Sequence, residues 1–341
     1  MTRVLFDYDS IKYAVGYACE ERHIICSNVN NGGQLRFANR TEFYGANRKG
    51  GWLAEFNAER DSPHDIDEYT IEDVQTLKQF TSVKAILDAK VKGIVKHLQG
   101  KEYYGYIGRG RVFRHDVATI MEYKGNRNNL KPLAINMIEE LLFEHHNAKL
   151  ATDNLESDDW LSIDSFTAFK EWNKTKSQKD RLIVVANDKD ALQTEGHLFN
   201  PDKMVLPMTI KGFGNLEWKE DMSKPTLTGK GRMWLYSQLV GGDQIDNWKP
   251  SFLSGKRWGD VATYKVLAGC KTDKEALQAI VDTYKAWYPN PVEYISWDGK
   301  PMVKNWLEIA DENWQMGYMK RWVGDDTMFS KVIDKLGVQY E

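Results

Sequence analysis

A doubly wound α/β fold is predicted by two matching pieces of this sequence. Residues 3–6 (RVLF) are a short apolar run that ends on Asp7, and helical spacing follows over residues 11–19, giving a strand, an acid at its carboxyl end and a helix. Residues 181–186 (RLIVVA) repeat the device as a buried-strand run that delivers Asn187, Asp188, Lys189 and Asp190. In open α/β sheets ligands bind beyond the carboxyl ends of the strands, so both sets of acids stand where a site is expected. Parallel topology brings the two strand ends to one edge of the sheet.

A third observation lies between them. Residues 154–163 read NLESDDWLSI, so Glu156, Asp158 and Asp159 fall within four residues at the start of an apolar helical segment. Acids are favoured in the first turn of a helix by its dipole, and Asp153 with Glu156 has capping-box spacing, so a purely structural explanation exists. Two unit charges 4 Å apart cost about 4 kcal/mol at an effective dielectric near 20. A buried trio therefore calls for a cation or for protons. Convergence of Asp7, Glu156, Asp158, Asp159, Asp188 and Asp190 on one metal site is the simplest account of acids at two strand ends and one helix start.

Composition leaves the field open. The 341 residues and 39.4 kDa suffice for two lobes, and 42% hydrophobic with 28% charged residues is ordinary for a soluble globular chain. A net charge of −3 does not mark a nucleic-acid binder, although an acidic site can mask a local basic surface in that sum. Cys19, Cys26 and Cys270 have neither zinc-ligand spacing nor a disulfide framework, which fits a reducing cytoplasm. The first residues show no signal-peptide pattern and no run of about 18 apolar residues occurs, so a cytoplasmic protein is expected, without a membrane partner.

Taken in order, residues 23–29 and 34–38 pair as a hairpin around Asn30, Asn31, Gly32 and Gly33. Residues 40–67 lack periodicity and read as a loop or insertion, and residues 71–98 read as one long helix with an apolar face. Residues 103–107 are a second core strand. It runs through Gly108, Arg109, Gly110 and Arg111 into Phe113-Arg114-His115, then Tyr123-Lys124-Gly125-Asn126-Arg127 and Lys131. This is the most basic part of the chain and has interleaved aromatics, a pattern that suits phosphate binding as well as solvated surface. Residues 133–143 are a helix, with His145 and His146 as partners of its dipole.

Residues 197–225 look irregular, with short strands at 197–199 and 205–208. A helix over 233–240 stops at Gly241-Gly242-Asp243-Gln244-Ile245-Asp246-Asn247. A loop rich in Pro, Gly, Ser and Lys leads to a further helix over 260–267. This helix, loop and helix is either an ordinary αα-hairpin or a phosphate or cation loop, with Lys249, Lys256, Arg257 and Lys265 attracting a duplex backbone. Helices over 273–288 and 302–321 follow, with Trp287, Trp297, Trp306, Trp314 and Trp322 as packing residues that cover the fold.

In this order and spacing the pieces resemble the bacteriophage 5′-to-3′ exonucleases of the flap-endonuclease-like family, whose module also forms the 5′-nuclease domain of bacterial DNA polymerase I. Phe6-Asp7, Phe113-Arg114 with residues 123–127, Glu156 to Asp159, Asn187 to Asp190 and Gly242 to Asn247 carry the resemblance, over about residues 3–270. It implies a PIN-like, mostly parallel sheet flanked by helices, with a helical arch and a C-terminal helix-three-turn-helix at about residues 230–270. The implied domains are a nuclease core over 1–210, with an insertion at about 22–67, and a helical DNA-binding lobe over 211–341. It further implies two Mg²⁺ or Mn²⁺ ions held by Asp7, Glu156, Asp158, Asp159, Asp188, Asp190, Asp243 and Asp246. Arg114, Lys124 and Arg127 would address phosphates at the base of the arch. Arg109, Arg111, Lys131, Lys249, Lys256, Arg257 and Lys265 would bind DNA, with K⁺ in the residue 241–259 loop.

The family's further acid after the second strand is missing: Gly108-Arg109-Gly110-Arg111 stands there. The implied substrate is duplex DNA with a 5′ end or flap, or an RNA–DNA hybrid, acted on by a monomer in phage replication or recombination. A PIN-type ribonuclease and a non-catalytic DNA-binding replication protein are the alternatives.

Overall fold

The protein is seen in a computed structural model that describes all residues except Met1, Glu59, 79–81, Asn129, 221–224 and Glu341. β1 (Arg3–Asp7) runs straight into α1 (Tyr8–Ala18), and β2 (Glu20–Asn28) and β3 (Gln34–Phe37) form the expected hairpin. Asn28 Oδ1 accepts from the backbone of Asn30 and Asn31 in its turn. Residues 40–67 are not a plain loop: α2 (Arg40–Tyr44), started by the Asn39 side chain, and α3 (Gly51–Asn57) lie within them.

The predicted helix over 71–98 is in fact a strand followed by a helix. β4 (Tyr69–Leu77) pairs along the whole of β2, from Glu20 opposite Leu77 to Asn28 opposite Tyr69, and α4 (Val83–His97) begins after it. The apolar positions Ile71, Val74 and Leu77 keep helical spacing, and a nine-residue ladder with a distant partner overrides it.

β5 (Glu102–Ile107), α5 (Phe113–Val117), α6 (Ile135–His145), β6 (Ala148–Leu150), α7 (Ser157–Thr175) and β7 (Leu182–Val185) follow. The stretch that carries Arg114, Lys124 and Arg127 holds only the five-residue α5 and turns among its described residues. After a 3₁₀ turn at Lys189–Gln193 come β8 (Gly196–Phe199), β9 (Met208–Ile210), and a hairpin of β10 (Asn215–Lys219) with β11 (Thr226–Lys230). α8 (Arg232–Gly241), α9 (Asp260–Leu267) and α10 (Asp273–Trp287) lead to a second hairpin, β12 (Val292–Ile295) with β13 (Pro301–Lys304). α11 (Trp306–Gly317) and α12 (Phe329–Leu336) end the chain. The helix expected from 302 thus starts late, where Asn305 accepts from Leu307 N and Glu308 N in a capping box.

Contacts divide the chain into two compact units, and the expected boundary at 210 falls inside one of them. The first comprises Met1–Ile11, Val91–Asn129 and Leu142–Glu341; the second comprises Lys12–Lys90 and Leu130–Leu141. The second holds the antiparallel sheet β3-β2-β4 over a small core of Ile24, Cys26, Phe37, Phe43, Leu53 and Tyr69.

The first unit holds the central sheet, ordered β6-β5-β1-β7-β8-β9, parallel throughout except for β9. β1 is central because Val4, Leu5 and Phe6 are wholly buried, which suits a parallel strand covered on both faces. α7 packs on the sheet through Leu161 and Ala168, against Leu5, Tyr106, Leu182, Val184 and Leu198. A second core joins α8, α10, α11 and α12 around Leu235, Ile280, Tyr284, Ile309, Trp314 and Phe329. Trp287 and Trp314 pack there, whereas Trp322 is about half exposed. Among the described residues no helix is long and apolar enough to cross a membrane.

Candidate active site

The register of the sheet sets the site. Asp7 ends β1 opposite Tyr106, and Phe6 lies opposite Val185, so the carboxyl ends of β1, β5 and β7 share one edge. α7 starts at that edge with Glu156 as its N-cap and Asp158 in its first turn, and the 3₁₀ turn beyond β7 adds Asp188 and Asp190. The segment after α8 supplies Asp243 and Asp246.

The acids feel one another. Burial raises Asp7 to about 7, helped by the charges of Asp9 and Asp188 and opposed by hydrogen bonds from Ser10 N and Ser10 Oγ. Burial also pushes Asp158 well up, with Asp7, Asp188 and Glu156 adding to it. Asp188 is exposed at its surface but hemmed in by protein; desolvation, with the charges of Asp246 and Asp243, raises it too. Asp190 is raised by burial and by Asp188, Asp243 and Asp246, and it accepts from Gln238 Nε2 at 2.5 Å.

Internal cations neutralise the other acids. Glu156 is buried, which alone would raise it, but Arg114 and Lys124 beside it hold it down at about 2. It accepts from Lys124 Nζ at 2.5 Å and from the Tyr123 hydroxyl at 2.9 Å. The same hydroxyl lies 2.9 Å from Asp246 Oδ2, and Arg127 Nη2 reaches Asp246 Oδ1 at 2.5 Å. Lys189 Nζ stands 2.9 Å from Asp243 Oδ2.

Two expected site residues turn away from this edge. Asp159 is fully buried and makes a two-pronged pair with Arg114, at 2.7 and 3.0 Å, while also accepting from Lys320 N. Asp158 and Asp159 are successive helical residues, about 100° apart around the axis, so one faces the other acids and the next faces the core. Arg114 has no exposed surface, and its other donors go to Glu156, Met316 O and Tyr318 O. The guanidinium is thus enclosed by protein acceptors rather than presented at the surface. Both residues brace the site from behind.

Beside the acids runs a groove of about 910 Å³ lined by Lys189, Asp243, Lys249, Arg257, Lys265, Trp218 and Trp258. Lys256 is held away from it, with its Nζ on Ala286 O at 2.6 Å. Arg111 is exposed and pairs with Asp116, and Arg109 lies over the Phe143 ring at 5.2 Å. Lys131 is exposed in the second unit, where its carbonyl accepts from Gln75 Nε2. Tyr123 as a bridge, Lys189 as a counter-ion and Gln238 emerge only in the structure. Tyr123 and Lys189 lie within the 123–127 and 187–190 segments, while Gln238 is one polar position on the buried α8 and has no local marker.

The donor set is all oxygen, which suits a hard divalent cation such as Mg²⁺ or Mn²⁺ rather than zinc. Carboxylates driven toward protonation by burial and by one another match the charge of such an ion, and Gln238 Oε1 is buried next to Asp190 without a hydrogen-bond partner. Among the described residues, however, no three acidic, imidazole or thiol side chains close on a single point. The fit is one of chemistry and charge, not of a finished cage.

A pH dependence follows. An acid whose folded pKa is raised contributes stability that is complete below its unfolded value and is lost as pH climbs through the folded one. For Asp7 the window runs from about pH 4 to about pH 7. The metal-free melting temperature is expected to fall across that window in the wild type and to fall less in Asp7→Asn. Parallel profiles by scanning fluorimetry would show that Asp7 does not titrate there.

No family model matches the sequence, and no curated protein matches it. Among solved structures the chain is similar to the T5 D15 protein co-crystallised with metal ions, at 11% identity and a TM-score of 0.40 over 83% of this chain and 79% of that one. It is similar to the bacteriophage T5 D15 flap endonuclease in a pseudo-enzyme-product complex with DNA and metal ions, at 12% identity and a TM-score of 0.44, over 75% and 90% of the two chains. A variant of the T5 5′-exonuclease gives 12% identity and a TM-score of 0.38, over 68% and 78%.

Proposed function

We propose that the chain is a divalent-metal-dependent 5′ nuclease that hydrolyses phosphodiester bonds near the 5′ ends of duplex DNA. The observation that carries this reading is that Asp7, Asp158, Asp188 and Asp190, at one edge of the sheet, are all raised by desolvation and by the charge of neighbouring acids, beside a groove lined with cations and tryptophans. Asp7, Asp158, Asp188 and Asp190, with Asp243 and Asp246, would hold the metal, which supplies Lewis acidity at the phosphate and a lowered pKa for attacking water.

The chain's own residues do the rest. Lys249, Arg257 and Lys265 draw in the phosphate backbone, and Trp218 and Trp258 offer flat surfaces to bases or sugars. Lys124, partly exposed and tied to Glu156, carries the positive charge that meets the scissile phosphate, with Arg127 beside it on Asp246. Arg114 keeps Glu156 and the start of α7 in place.

The test uses 5′-flap, nicked and blunt duplexes carrying a 5′ label, with and without Mg²⁺. Metal-dependent release of label from a duplex is expected. No release at any metal concentration, or faster cutting of single-stranded RNA than of any duplex, would overturn the proposal. In the same assay Lys124→Ala is expected to lower kcat by roughly a hundredfold while duplex affinity changes little. Equal losses in both would remove Lys124 from the chemistry.

A further inference from the structure

Asp9 stands two residues beyond Asp7 in the first turn of α1. Its Oδ2 accepts from Gly108 N at 2.9 Å and from Ser157 Oγ at 2.7 Å. Gly108 is the first residue past β5, and Ser157 opens α7 immediately before Asp158. One carboxylate therefore joins three of the segments whose ends make up the site. Asp9 occupies the space beside the bare Cα of Gly108: a Cβ at position 108 would lie 3.0 Å from Asp9 Oδ2, a tight contact. After burial, the charge of Asp9 is the largest influence on Asp7.

We propose that Asp9 is a working carboxylate of the metal site, entering from α1 at the end of β5 where the residue in line is Gly108. It supplies negative charge on that flank and fixes Ser157, and through it Asp158. The inference rests on the metal-dependent reading of the site given above. Groups that orient metal ligands are commonly worth ten- to a hundredfold in metal affinity.

Asparagine at position 9 keeps an oxygen able to accept from Gly108 and Ser157 but carries no charge, so it separates the charge from the hydrogen bonds. Mn²⁺ would be titrated into the metal-free full chain without DNA and followed through the free-ion signal in electron paramagnetic resonance, with melting temperatures measured alongside. Asp9→Asn is expected to weaken Mn²⁺ binding by roughly tenfold or more without a lower melting temperature. Adding Gly108→Asp to that variant, which returns a carboxylate to the same place from β5, is expected to recover most of the loss. Wild-type affinity in Asp9→Asn overturns the proposal, as does a folded double variant that recovers nothing. If the double variant melts early, Asp9→Glu decides: it should bind better than Asp9→Asn, and binding no better overturns the proposal. Absence of Mn²⁺ binding by the wild type is a separate result, which overturns the metal reading itself.

Discussion

Arg114→Ala is expected to cost about 3–5 kcal/mol of folding stability, the range found when one partner of a buried ion pair is removed. The guanidinium has no exposed surface and places every N–H: Nε on Met316 O, Nη1 on Glu156 and Asp159, Nη2 on Asp159 and Tyr318 O. Truncation leaves the Asp159 carboxylate wholly buried beside two carbonyls that have lost a donor, and an unpaired buried charge is dearer than the pair was worth. Urea unfolding of the metal-free protein measures the effect. The double variant Arg114→Met, Asp159→Leu should recover much of it, because well-packed apolar residues can replace a buried ion pair at little net cost. A loss under about 1 kcal/mol in Arg114→Ala would show that the pair does not hold the fold.

The Arg114 cluster also marks where the sequence stops being legible. Asp7, Asp188 and Asp190 could be read because each follows an apolar strand run within a few residues, so the site edge is written locally. Asp158 and Asp159 could not be told apart. Their difference in role is set by Arg114 on α5 and by the backbone of Met316 to Lys320, none of which is near them in the chain. The same distance hid β4, whose partner β2 lies about fifty positions earlier, and the role of the last helices. Expected only to cover the fold, that part of the chain brings Met316, Tyr318 and Lys320 to the back of the acids. Gly108 was legible only as a missing acid. That Asp9 fills its space needs the hydrogen bonds from Gly108 and Ser157 to be seen.

Asp188→Asn is expected to show the opposite pattern to Arg114→Ala, with activity lost and stability kept. Asp188 caps the 3₁₀ turn by accepting from Asp190 N at 2.8 Å, and asparagine is an equally good cap, so the backbone there should hold. What disappears is a negative charge placed among Asp190, Asp243 and Asp246, and its removal relieves repulsion in the metal-free protein. The melting temperature should therefore stay level or rise. Metal-dependent cleavage of a 5′-labelled duplex, under single-turnover conditions, should fall by roughly a thousandfold, the upper range for removing one preorganised electrostatic group. Asp159→Asn is the control one element away: its carboxylate serves Arg114, so it should lose stability first and activity only as a consequence. Near-normal cleavage by Asp188→Asn would remove the strand-end acids from the chemistry. Like effects of Asp188→Asn and Asp159→Asn on melting and on rate would erase the distinction between the acids that face the site and the acid that braces it.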